Sequence, residues 1–272
     1  VLGAPAAAPG AAQFIGSYTW PRSAHNLGGF SGIELTDNGG SFTVISDRGS
    51  LMTGQFQRKD GRITGVQARP ATSLKDLQGK PIKQHLSDAE GLAIRADGQM
   101  FVSFEGQHRI WTYATQSKAA QLPNPNAFRS LQLNSGVEAL AIDAKGRLFA
   151  IPERSGQLTR PFPVWRYSDG KWSHPFGLRR DGGFLAVGAD FGPDGHLYLL
   201  EREFTGFGFR SRVRRFILSD TKVVSEKTIL VTTIWRHDNL EGLSVWGDAA
   251  GDIRLTMVSD DNFRSFQRTE FV

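Results

Sequence analysis

Residues 87–106 read SDAEGLAIRADGQMFVSFEG, and their order is that of a hairpin. A short apolar run ending at Ile94 leads to Asp97-Gly98, a pair suited to the tight left-handed turn between antiparallel strands. A second apolar run, Met100 to Phe104, follows it. Glu90 stands just ahead of the first run and Glu105 just after the second. The phrase returns as NSGVEALAIDAKGRLFAIPER at 134–154 and as NLEGLSVWGDAAGDIRLTMVSDDN at 239–262. Weaker copies stand at 30–49 (FSGIELTDNGGSFTVISDRG) and 184–202 (FLAVGADFGPDGHLYLLER). Aligned on Gly32, Gly91, Ala139, Gly188 and Gly242, the copies are spaced by 59, 48, 49 and 54 residues.

Periods of this size, each holding a hairpin and sequence for two more strands, are the signature of β-propeller blades. The segments RIWTYA (109–114), PVWRYSDGKW (163–172) and RVRRFIL (212–218) supply outer strands. The expected fold is therefore all-β: a single β-propeller over residues 13–272. The spacings favour five blades, and six if the chain ends build one that has lost its motif. QFIGSYTW near the N-terminus and SFQRTEFV at the C-terminus both read as strands. A propeller closes its ring when the two termini share one blade, which removes the open sheet edges.

Of the 272 residues, 39% are hydrophobic and 22% charged, enough to bury a substantial core. The first twelve residues, VLGAPAAAPGAA, carry no charge and read as a flexible tail. They also look like the stretch left after an export signal is removed, so a periplasmic or secreted location is expected. The absence of cysteine excludes disulfides, thiolate metal sites and a cysteine nucleophile. No run of 18 or more apolar residues is present, so no membrane-spanning helix is expected. A net charge of +5 favours anionic partners, although a generally basic surface explains it equally well.

The first strand of each blade lines the central channel, so residues at its start crowd one mouth. Glu90, Glu138 and Glu241 occupy that position, with Ser31 and Val187 in the other two copies. Three converging carboxylates repel unless a cation or protons intervene. Hard oxygen donors without matching His or Cys point to calcium, with magnesium or manganese next. The alternative is that each glutamate accepts backbone N–H groups of a neighbouring blade. A second set, Asp47, Glu105, Glu153, Glu201 and Asp260, follows the second strand in every copy, and such regularity favours a structural role. Arg48, Arg154 and Arg202 directly follow three of these acids, where they either pair with them or hold an anionic, possibly phosphorylated, small-molecule substrate.

The ordered set SGIEL with ISDRG, DAEGLA with VSFEG, GVEALA, LYLLER, and DNLEGLS with MVSDDN resembles the phytase-like propeller family described as having esterase-like activity, from about residue 13 to the C-terminus. The resemblance implies an exported, calcium-dependent propeller hydrolysing phosphoesters or related esters. A more distant similarity is to calcium-dependent lactonase propellers with a glutamate-glycine pair at the channel mouth.

No HExxH, GxSxG or phosphate-binding P-loop is present. His237, in HDNLEG, lies nearest the expected mouth and is the candidate general acid or base, or else a polar surface residue. FTGFGFRSRVRR (204–215) reads as a strand face with alternating solvated arginines, or alternatively as a lid or a stacking surface for nucleic acid. Nucleic acid is not the expected partner. Two functions follow: metal-assisted hydrolysis at the mouth, or a non-catalytic, calcium-stabilised propeller that binds an anionic ligand or a protein.

Overall fold

The computed structural model describes residues 10–21, 27–36, 38–131, 136–264 and 266–272; most of the expected tail, residues 1–9, lies outside them. The repeat becomes five antiparallel sheets arranged in a ring, a five-bladed propeller. Blade one is built from Phe30–Leu35, Ser41–Ser46, Ser50–Lys59 and Arg62–Ala68, with the short Thr72–Ser73 strand also on its third strand. Blade two follows with Ala89–Ile94, Met100–Phe104, Arg109–Tyr113 and Ala120–Gln121, and blade three with Val137–Ile142, Leu148–Pro152, Phe162–Ser168 and Lys171–Leu178. Blade four holds Leu185–Phe191, Leu197–Phe204, Phe209–Leu218 and Val223–Val231. Among the described residues, helix is confined to two short 3-10 segments, Gln84–Leu86 and Asn126–Ser130.

Blade five joins the two ends of the chain, as expected. Its inner strands Asn239–Gly247 and Ile253–Asp260 are followed by Thr269–Phe271, and the N-terminal strand Tyr18–Trp20 adds to the outside. Tyr18 lies opposite Phe271 and Trp20 opposite Thr269. The C-terminal strand is thus sandwiched within the sheet and holds the N-terminal one in place.

The core is divided among the seams. Five apolar clusters form, one between each pair of adjacent blades. This follows from strand alternation, since successive side chains face the preceding and the following blade in turn. Leu140, for example, packs towards blade two with Phe101 and Ile110, while Ala139 and Ala141 pack towards blade four with Ala186 and Leu199. The seam between blades five and one is aromatic: Phe271 lies 4.9 Å from Phe56 and 5.5 Å from Trp20 between ring centroids.

The innermost strands come unusually close. A Cβ on Gly91 would stand 2.7 Å from the Glu138 carbonyl oxygen, and one on Gly188 would stand 2.5 Å from that of Glu241. Glycine at these two places lets neighbouring backbones meet around the axis, which narrows the channel and concentrates whatever points into its mouth.

Candidate metal centre and anion site

The pairing of every innermost strand with its neighbour slips at the same place: between Phe30 and Gly32, Ala89 and Leu92, Val137 and Ala139, Ala186 and Gly188, and Leu240 and Gly242. Ser31, Glu90, Glu138, Val187 and Glu241 fall within these slips. Such a β-bulge leaves an extra residue out of the ladder and re-aims its side chain. The repeat therefore re-aims one position per blade, although Val187 of blade four turns into the apolar seam with blade five. Three of these positions hold the predicted glutamates.

Their environment shows that they converge. Burial pushes the Glu90 carboxyl well above the usual carboxylate range, and the charges of Glu138 and Glu241 push it further. Glu138 is raised likewise by burial and then by Glu153, against the opposing pull of Arg202. Glu90 also meets two acids that sequence reasoning did not assign to a metal: oxygens of Asp88, Glu90 and Glu105 lie within 4.8 Å of one another. This set offers the hard oxygens that divalent cations of the calcium type take, and the mutual repulsion of three converging carboxylates favours a cation between them.

Glu241 has a different partner. It accepts a hydrogen bond from Arg202 Nη1 and another, 2.8 Å long, from Asn239 Nδ2. Arg202 also donates to Asn239 Oδ1 at 2.7 Å and reaches Glu153 at 3.5 Å. Burial opposes its charge, but Glu241, Glu138, Glu153 and Glu90 outweigh that and hold the guanidinium firmly protonated. One mouth thus contains both a carboxylate trio and a partly buried arginine.

A family described as phytase-like, with the esterase-like activity of phytase, matches residues 25–263. The chain belongs to this phytase-like family. No curated protein matches it. Among solved structures it is similar to a PQQ-bound aldose sugar dehydrogenase from Streptomyces coelicolor (13% identity, 94% of this chain and 97% of that one, TM-score 0.46). It is also similar to a gluconolactonase from Xanthomonas campestris (12% identity, 85% and 67% covered, TM-score 0.46) and to regucalcin, a calcium-binding protein from Agrobacterium tumefaciens (11% identity, 89% of each chain, TM-score 0.45). The functional reading of the phytase-like chain rests on its family and on its own mouth.

The remaining predicted residues divide. Arg154 stands at the rim, half-exposed, and donates to Glu153 at 3.0 Å. Arg48 lies over the Phe263 ring, with its guanidinium carbon 3.4 Å from the centroid. His237 turns elsewhere: its Nδ1 is 3.4 Å from Glu270 and its ring packs against Phe14. It is buried between the N-terminal segment and blade five.

The second acid set also splits. Glu201 is fully buried and binds both Arg212 and Arg214 through paired hydrogen bonds of 2.7–3.0 Å. The Phe209–Leu218 strand forms where expected, but Arg212 and Arg214 face this interior acid instead of solvent. Asp47, Glu105 and Asp260 instead belong to the mouth. Burial raises Asp47 to about 7, helped by the charge of Asp88, and Glu105 to about 7 against a hydrogen bond from the Gly136 amide. Asp260 rises to about 8 through burial and the charges of Glu241 and Asp47.

Further along the channel, Asp190 on blade four accepts the Val245 amide of blade five at 2.6 Å, and Glu34 on blade one accepts the Ile94 amide of blade two at 3.3 Å. These two acids were not anticipated. They tie neighbouring innermost strands together, the role weighed above for the mouth glutamates.

Proposed function

We propose that the phytase-like chain is a calcium-dependent hydrolase of phosphoesters or related esters. The observation that carries the reading is the pairing, at one channel mouth, of the Asp88–Glu90–Glu105 trio with the partly buried cation of Arg202. Asp88, Glu90 and Glu105 would hold the calcium, with Glu138 adding negative charge behind them. When bound, calcium supplies Lewis acidity towards the ester oxygen and lowers the pKa of a coordinated water. Arg202 attracts and orients the anionic end of the substrate, and Arg154 extends that field to the rim.

Proton transfer falls to Asp47 and Asp260, since His237 is engaged with Glu270. Burial holds both carboxyls above the usual carboxylate range, which brings their proton exchange closer to neutral pH. The ionised member of the pair takes a proton from the attacking water as the new bond to phosphorus or carbon forms. The protonated member gives its proton to the departing oxygen as the old ester bond breaks.

Two expected results test the assignment. Glu90→Gln should lower calcium affinity and turnover together, because it removes ligand charge and keeps shape. Arg202→Ala should weaken binding of an anionic ester at least about tenfold, in line with loss of a charge-assisted hydrogen bond. Its calcium affinity should stay level or tighten, since a neighbouring positive charge has gone. Calorimetry with calcium, alongside kinetics on phosphomonoesters, phosphodiesters, carboxylic esters and lactones, reads both variants; parallel loss of calcium in Arg202→Ala would contradict the division of the mouth.

The pH dependence has a definite sign. Asp47, Glu105 and Asp260 have folded pKa values above their unfolded ones, so the folded state holds extra protons between about pH 4 and pH 8. Stability of the cation-free protein should fall as pH rises through that window and be highest towards its lower end. Calcium at about a hundredfold above its Kd adds about 2.7 kcal/mol, a melting shift on the order of 5–10 °C. Melting curves from pH 5 to pH 8.5 in chelator should slope downward, and saturating calcium should flatten them.

The engagement of Glu241 by Arg202 and Asn239 favours the second reading, a calcium-stabilised propeller that binds an anionic ligand without turnover. Calcium-dependent binding of phosphate esters with no hydrolysis across the substrate panel would establish it in place of the enzyme.

A further inference from the structure

The loops that follow Arg202, precede Asn239 and follow Asp260 rise on the same face as the acidic mouth. Between them lies a cleft of 590 Å³ whose walls include Phe204, Phe207, Trp235 and Phe266. Phe207, Trp235 and Phe266 are 80%, 76% and 78% exposed, so folding gains little from them. Their positions are nevertheless built. Among the described non-glycine residues with positive φ, Asp60 and Asp169 precede glycines in hairpin turns, where that conformation is ordinary. The other three, Trp235 (φ 68°), Asn262 (46°) and Phe263 (53°), border this cleft or the adjoining mouth. Bulky side chains rarely adopt such backbone, and its clustering accompanies functional sites.

The loops support one another. A Cβ on Gly208 would stand 3.2 Å from the Trp235 ring, so this glycine lets the turn lie under the indole. Thr205 N donates to Gly208 O at 3.0 Å, closing the turn that carries Phe207 outward. The floor then leads into the mouth: Phe204 packs tilted against Phe209 with ring centroids 5.1 Å apart, and the Phe209 ring is 5.9 Å from the Arg202 guanidinium.

We propose that this cleft is a second binding subsite, which takes a planar aromatic group on the ligand whose anionic end is held at Arg202. The substrate class that fits both is an aryl-bearing phosphoester or carboxylic ester. The inference rests on the reading of the mouth as an anion and metal site. Continuity with the mouth argues for one ligand spanning both. The aromatic walls, with the Arg264 guanidinium 5.8 Å over Phe266, argue for a flat π-face over an alkyl chain.

The test uses the calcium-loaded protein and two uncleavable probes, methylphosphonate and 1-naphthylmethylphosphonate, with 1-naphthalenemethanol as the uncharged counterpart. Calorimetry should show the naphthyl phosphonate binding about tenfold or more tighter than methylphosphonate. Trp235→Ala and Phe207→Ala should each remove most of that gain while leaving methylphosphonate affinity, calcium affinity and melting temperature unchanged. If methylphosphonate fails to bind but the naphthyl alcohol binds in a Trp235-dependent way, the aromatic subsite stands and the reading of the mouth falls. Equal affinity for the two phosphonates, or gains untouched by both variants, overturns the subsite. So does a wild-type dimer in sedimentation that Trp235→Ala converts to monomer, since the aromatics would then be an interface between copies.

Discussion

Deletion of residues 265–272 is expected to abolish cooperative folding of the ring. The segment contains the Thr269–Phe271 strand, which sits between Ile253–Asp260 and Tyr18–Trp20 in blade five. Without it the N-terminal strand loses its partner and the sheet acquires an open edge. Phe271 is itself fully buried among Trp20, Phe42 and Phe56. Phe271→Ala alone should therefore cost about 3–5 kcal/mol, the range for a large aromatic removed from a close-packed interior. Chemical denaturation measures the point variant, and circular dichroism with limited proteolysis reads the deletion. A truncated chain that melts cooperatively within a degree or two of the parent would show that the ring closes by other contacts.

Glu201→Ala should be comparably severe, although the same substitution at Glu153 should not. Arg212 and Arg214 are almost completely buried, and both depend on the Glu201 carboxylate. Removing one partner from a buried ion pair leaves an uncompensated charge and costs about 3–5 kcal/mol. In a chain of this size that is a fall in melting temperature on the order of 10 °C. Replacing the three together, as Glu201→Leu with Arg212→Met and Arg214→Met, should recover much of the loss, because no buried charge then remains. Thermal melts of the single and triple variants decide this; a triple variant no better than the single one would mean the triad specifies the local packing.

Glu153 and Glu201 show where reading the sequence stops. They stand in IPER and LLER, after runs that look alike. In blade three the second strand ends at Pro152, which has no N–H to continue a ladder, and Glu153 is released towards Arg202. In blade four the strand runs on to Phe204 and pairs Glu201 with Arg212, holding the acid inside the sheet. Pro152 and the alternating arginines were visible signals of that difference. The hairpins were legible because Asp97-Gly98 and its equivalents act locally, and the shared blade because strand signals stand near both ends. Membership of Asp88, Asp47 and Asp260 in the mouth was not, since it depends on how close different blades approach. The same holds for His237, whose neighbour Glu270 lies on the closing strand.

The bulge at one fixed place in every innermost strand gives each blade one socket, and the sockets are filled differently around the ring. In blades two, three and five the socket holds a glutamate of the mouth, whereas in blade four Val187 packs into the apolar seam with blade five. One position of the repeat thereby serves the mouth in some blades and the packing in another. In blade four the socket holds Val187, and Arg202 of the adjoining strand brings a cation to the mouth in place of a further carboxylate. A charge placed at Val187 would have to displace that seam, and one at Ser31 would break its hydrogen bond to the Ala89 carbonyl, so the charge of the mouth is set by which blades carry a glutamate in the socket.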